Sequence, residues 1–170
     1  MREVVKTSES DKKTYPPWIV NKMLELDDSS EIGNNPRTKI TDFLELYIVT
    51  WVLSNKAYQK KYWGIDSQES VDNYSETMET FLGAGRAVLE TSDYTIEMTP
   101  TQREMLQKLY DMMEDFEENG EAEDPGYGVN DAAIIEDPLF AKCREYAKIV
   151  YEELSGDDLD AWEKQRANGE

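Results

Sequence analysis

Eight carboxylates and no base stand between Asp111 and Asp124: Asp111, Glu114, Asp115, Glu117, Glu118, Glu121, Glu123 and Asp124. Carboxylates this dense can hold a hard divalent cation through oxygen or present negative charge to a cationic surface. Read as a calcium loop, Asp115, Glu117, Asn119, Gly120, Glu121 and Glu123 fit the early positions. The twelfth position is Gly126, where the bidentate Glu belongs, so the strongest ligand is missing and no metal is assigned. The sequence has no His, and Cys143 is its one cysteine. His-based acid–base catalysis, Ser-His triads, Cys/His zinc sites and an internal disulfide are thereby excluded. No residue set names a reaction, and neither an enzyme nor a cofactor is expected.

What remains is charge, and its placement works against local stability. Met105, Leu109, Met112 and Phe116 recur at helical spacing, which puts Asp111–Glu118 at the end of a helix. A helix C-terminus carries about half a negative charge and disfavours carboxylates. Asp111/Asp115 and Glu114/Glu118 add like-charge i,i+4 pairs at roughly 0.2–0.5 kcal/mol each. Something other than helix stability must favour these acids. Five acids over about 12 Å of helix give one charge per roughly 2.4 Å, against one per roughly 1.7 Å in B-DNA with both strands counted. The expected function is therefore imitation of nucleic acid. The partner would be a basic protein with a nucleic-acid groove, such as a nuclease, restriction enzyme, CRISPR effector or polymerase. Small anti-defence inhibitors of phage or mobile-element origin work in this style.

The whole chain leans the same way. Its net charge is −19, from 18 Lys and Arg against 37 Asp and Glu. From Tyr62 to Glu136 there are 19 acids and three bases, Arg86, Arg103 and Lys108, so 3 − 19 = −16. Such a field repels nucleic acid and anionic membranes and speeds encounter with cationic proteins. A hydrophobic content of 39% with 11% aromatics argues for a folded carrier, since disordered acidic chains are poor in aromatics. No apolar run is long enough to span a bilayer, and Met1–Lys6 does not resemble a signal peptide, so a cytoplasmic location is expected.

Three other constellations merit attention. Glu76-x-x-Glu79 followed by Glu90-x-x-Asp93 resembles the paired carboxylates of the all-α, MazG-like nucleotide pyrophosphohydrolases. That resemblance implies Mg²⁺ held between facing helices against a triphosphate. It covers 18 residues, Ser75 stands where that family has a further Glu, and the two pairs face each other only if Gly83-Ala84-Gly85 breaks the helix. Lys56, Lys60 and Lys61 lie beside Tyr58, Tyr62 and Trp63, which would suit phosphates and bases, although the chain's own field opposes it. Met98, Met105, Met112 and Met113 fall near the acids and would give an adaptor or assembly chaperone an adaptable apolar contact for a basic client.

The elements that must carry these residues form an all-α fold: a single compact bundle of about six helices with an acidic face, over 14–170, preceded by a flexible arm, 1–13. A short helix from Pro17 should stop near Asp28. Thr41 should cap a central helix with Phe43, Leu44, Tyr47, Ile48, Trp51, Val52 and Tyr58 on its stripe. Asp66-Ser67-Gln68-Glu69 has capping-box form, with a helix following through Val71, Tyr74, Met78, Phe81, Gly85 and Val88. Two glycines within it require a close neighbour or a kink. Thr99-Pro100-Thr101-Gln102 starts the acidic helix, which ends at Asn119-Gly120. Residues 121–136 read as a long loop, with Ile134-Ile135 packed beneath it. Asp137-Pro138 caps a helix closed by Ser155-Gly156 that buries Cys143, and Leu159 to Ala167 forms a last short helix.

Overall fold

The computed structural model describes residues 14–28, 38–63, 72–90, 96–119 and 130–169. It is predominantly helical, with eight α-helices among these residues. They are α1 (Pro17–Asp28), α2 (Leu44–Ser54), α3 (Lys56–Tyr62), α4 (Tyr74–Leu89), α5 (Pro100–Asn119), α6 (Asp131–Glu136), α7 (Pro138–Ser155) and α8 (Leu159–Gly169). The expected arm, 1–13, lies outside the described residues.

Four helices close a ring: α2 packs on α4, α4 on α5, α5 on α7, and α7 back on α2. α1 adds a third neighbour to α2. This explains why Leu46, Tyr47, Val49, Trp51, Val52 and Leu53 are all buried, since a helix apolar on every side needs cover on every side. Trp18 of α1 stacks on Tyr47 with ring centroids 3.9 Å apart. The Trp18 backbone N–H donates to Asp157, which also accepts from the Tyr151 hydroxyl at 2.7 Å, so the link after α7 ties down the start of α1. A two-residue parallel pair, Thr38–Lys39 with Ile96–Glu97, joins the approaches to α2 and α5.

Several sequence expectations need correction. Thr41 does not cap the central helix. It sits inside a 3-10 turn, Ile40–Asp42, whose Asp42 carboxylate accepts the Lys39 backbone N–H at 2.9 Å, and α2 starts after Phe43. The helix expected to reach Tyr58 is broken at Asn55, whose extended backbone starts α3 and whose side chain accepts the Tyr58 N–H. Buried Gln59 heals the break by donating to the Val52 and Leu53 carbonyls at 2.9 and 2.8 Å, in the last turn where carbonyls run short of helical partners; the Val52 carbonyl also accepts the Asn55 N–H at 3.2 Å. The proposed capping box at 66–69 and Val71 lie outside the described residues. α4 itself begins at Tyr74, where extended Asn73 accepts the Glu76 N–H at 2.8 Å. Ile134 and Ile135 are buried as expected, but on α6 instead of in a loop.

Other expectations match. The Asp137 side chain accepts the Leu139 N–H, and Gly156, at φ 81°, ends α7 in the left-handed region that glycine favours. Leu159 and Trp162 are buried.

Candidate functional site

α5 carries the described part of the acidic stretch. It starts as the sequence predicts: Gln102 N–H donates to the Thr99 hydroxyl at 3.1 Å, and Thr99 N–H donates to the Gln102 side chain at 2.9 Å. Its buried stripe is Leu106, Leu109, Tyr110, Met113 and Phe116. Met105 and Met112, expected at its centre, are half-buried at its edge, because Leu106 and Tyr110 complete a stripe turned by about one position.

At 3.6 residues per turn, Asp111, Glu114, Asp115 and Glu118 fall within an arc of about 100° on the side away from that stripe. All four are exposed. Glu117 is also exposed but lies outside the arc, and the Tyr74 hydroxyl from α4 donates to its Oε1 at 2.6 Å. Glu121, Glu123 and Asp124 lie outside the described residues.

The partners of these acids are neutral. Gln107 Nε2 donates to Asp111 Oδ1 at 2.9 Å, and Asn119 Nδ2 donates to Asp115 Oδ1 at 2.7 Å. None of the five makes an ion pair with a described Lys or Arg. The nearby bases are held elsewhere. Lys108 Nζ sits 4.6 Å from the Tyr146 ring centroid, and Arg103 donates to the Leu89 carbonyl at 3.1 Å. Arg86 donates to the Tyr110 hydroxyl at 3.3 and 3.1 Å and lies 3.9 Å from Glu90. Its guanidinium is raised above the ordinary arginine value mainly by the Tyr110 hydrogen bond, with Glu90 and then Glu114 adding smaller charge effects. The sequence predicts the acids but misses the donors. Gln107–Asp111 and Asp115–Asn119 were readable as i,i+4 pairs; the Tyr74–Glu117 bond, 43 residues apart, left no local signal.

The other constellations fare differently. α4 runs unbroken through Gly83-Ala84-Gly85, so Glu76 and Glu90 are separated by about 21 Å of rise on one helix, and Asp93 lies outside the described residues. Asp115, Glu117 and Asn119 are helical, where a calcium loop would need them to turn inward. Among the described residues no group of three potential metal ligands converges. Lys56 and Lys60 lie 3.2 and 3.8 Å from the Glu136 carboxylate, and Trp63 is buried, so that cluster offers no stacking platform like the one expected. Met113 is fully buried, which removes it from any contact surface.

Cys143 is buried as expected. Its thiol lies 3.5 Å from the Met112 carbonyl and is pushed up to about 11, first by burial and then by Asp115, so it stays protonated near neutral pH.

A second acidic region opens between α2 and α4. A groove of about 710 Å³ has Phe43, Ile48 and Val52 along its walls and Asp42, Glu45, Asp72 and Glu76 among its lining, with no base. Asp72 is held by the Tyr58 hydroxyl and the Trp63 indole at 3.2 and 3.3 Å. No known protein family, curated protein or solved structure matches this chain.

Proposed function

We propose that this protein binds the basic groove of a nucleic-acid-handling protein by presenting an acidic face in place of nucleic acid, as inhibitors of phage or mobile-element type do. One observation carries this reading: four exposed carboxylates share one side of one helix, and the side-chain partners they have among the described residues are neutral. From Asp111 to Glu118 the three intervals average about 3.5 Å of axial rise, close to the roughly 3.4 Å between phosphates along one DNA strand. Neutral donors orient a carboxylate and leave its charge available. A rigid array of that kind meets arginines and lysines already spaced for phosphates without first ordering its own backbone.

Affinity capture at low and at high salt tests it, with the captured proteins identified. Nucleic-acid-handling partners should be retained at low salt and weakened by about tenfold or more when salt is raised fourfold, because the contact is ionic. The variant E114K/D115K/E118K should capture none of them. Capture that is indifferent to salt and to this variant would overturn the proposal.

A basic client held by an adaptor is the second reading, favoured by the α2–α4 groove, where apolar walls and carboxylates occur together. Capture through that groove would tolerate salt and fail in Ile48→Asp. Release of pyrophosphate from nucleotides with Mg²⁺ would point instead to an enzyme.

A further inference from the structure

The carboxylates of the α2–α4 groove stand at its two ends, with an apolar stretch between them. α2 lines the groove with Glu45, Ile48, Val49 and Val52, spaced i, i+3, i+4, i+7 and so on one face of the helix. α4 lines it with Glu76, Thr77 and Thr80. Asp72, just ahead of α4, accepts from the Tyr58 hydroxyl of α3 at 3.2 Å, and Gln59 of α3 folds back onto the last turn of α2. The start of α4 therefore lies beside the end of α2, and the two helices run antiparallel. Asp42 and Glu45 fall at one end of the groove and Asp72 and Glu76 at the other, with Ile48 and Val49 between.

Both ends carry uncompensated charge. Glu45 and Glu76 are exposed, and among the described residues their carboxylates make no hydrogen bond or ion pair. Asp42 and Asp72 accept from neutral groups, among them the Lys39 backbone N–H, the Tyr58 hydroxyl and the Trp63 indole. Between the ends, Phe43 and Ile48 are only half-buried, on a stripe whose spacing is that of a helix packed against another helix. An apolar centre within a charged rim is the layout of a protein interface. The rim excludes a second copy of this chain, which would bring its own net charge of −19. It suits a cationic partner. From Glu45 to Val52 the rise is about 10.5 Å, and a docked helix with Lys or Arg seven positions apart covers the same length while turning its i+3 and i+4 residues onto the same face.

We propose that this groove receives a helical segment of a basic partner protein, with apolar residues seated on Ile48 and Val49 and a Lys or Arg reaching each acidic end. Apolar burial supplies the affinity and the four carboxylates the register. The proposal rests on the second reading above and names its partner; mimicry by α5 stands or falls separately.

The test is a selection from a displayed library of random linear peptides about 15 residues long, enough for a helix to persist. The full chain is the target, and Ile48→Asp, or Thr80→Phe if that variant fails to fold, is the counter-target. Enriched peptides should carry Lys or Arg seven positions apart around an apolar pair, and should gain helical circular dichroism on binding. Their affinity, read by fluorescence anisotropy, should fall about tenfold or more in E45K/E76K and be unchanged in E114K/D115K/E118K. Groove-dependent binders that are basic but bind extended would overturn the proposal and leave the second reading in place. Binders indifferent to E45K/E76K, or a selection that yields no groove-dependent binder, would overturn both.

Discussion

The C-terminal half of α5 and the seam where α3, α6 and α7 meet treat carboxylates in opposite ways. At the seam, Glu136 faces Lys56 and Lys60 and is held below the usual carboxylate range, chiefly by the Lys56 hydrogen bond and then by the charges of the two lysines. Arg144 reaches across to Gln59 Oε1 at 3.0 Å and the Ile135 carbonyl at 3.2 Å, so cations there join one element to the next. On α5, Asp111, Asp115 and Glu117 are oriented by an amide, an amide and a phenol, and no cation joins them to anything described. Charge is spent on assembly in one place and left uncompensated in the other. Stability therefore accounts for the seam and does not account for the α5 acids, which is what a binding surface would show.

The largest effect should come from the seam. Gln59→Leu removes the donor to the Val52 and Leu53 carbonyls and strands part of the Arg144 guanidinium. Leaving buried polar groups unsatisfied should cost about 2–4 kcal/mol, seen as a lower denaturant midpoint at unchanged slope. A loss under about 1 kcal/mol would mean the polar link does not hold the seam, and the contrast would weaken. On α5 the sign should reverse. E114K/D115K/E118K turns the Asp111/Asp115 repulsion into an attraction, exchanges the Glu114/Glu118 repulsion for an equivalent one between lysines, and places cations near the helix C-terminus, so the fold should gain up to about 1 kcal/mol even as the proposed partner binding disappears. Thermal unfolding of the variant checks this. A fall in stability would make the acids structural and would count against the proposed function.

Much of this was legible in the sequence because it is local. The Thr99/Gln102 box, the Asp137 cap and the Gly156 stop each join residues two to four positions apart, and all three form. The acids themselves needed only counting. The break at Asn55 was hidden because the apolar stripe from Phe43 to Tyr58 continues through it at helical spacing. Only the return of Gln59 to the Val52 and Leu53 carbonyls makes two helices as acceptable as one. The register of α5 was misjudged for a similar reason: Met105 and Leu106, like Met112 and Met113, offer apolar neighbours at two adjacent phases, and packing against α4 and α7 selects the second. The Tyr74–Glu117 bond could not be read without the fold, because it joins two helices distant in the chain.

The two glycines of α4 sharpen the comparison at smaller magnitude, because one of them sets how closely α4 and α5 approach. A Cβ built on Gly85 would meet Tyr110 Cδ2 at 3.2 Å, whereas one built on Gly83 meets nothing within 4 Å. Gly83→Ala should therefore gain up to about 1 kcal/mol from helix propensity alone and leave the partner's affinity unchanged. Gly85→Ala has the same propensity to gain but must displace the Tyr110 ring by a few tenths of an ångström. The Tyr110 hydroxyl accepts from Arg86, so the base that senses Glu114 moves with it. Its net change should fall below that of Gly83→Ala, and its sign is a direct measure of how tightly the two helices meet. A cycle with Tyr110→Ala, followed by chemical denaturation, separates the terms. The Gly85→Ala penalty should vanish once the ring is gone, while the Gly83→Ala gain should be additive with the loss of the ring. Equal effects at the two glycines would show that the α4–α5 approach has slack, and carboxylates mounted on a loosely seated helix would lose the fixed spacing that the proposed mimicry requires.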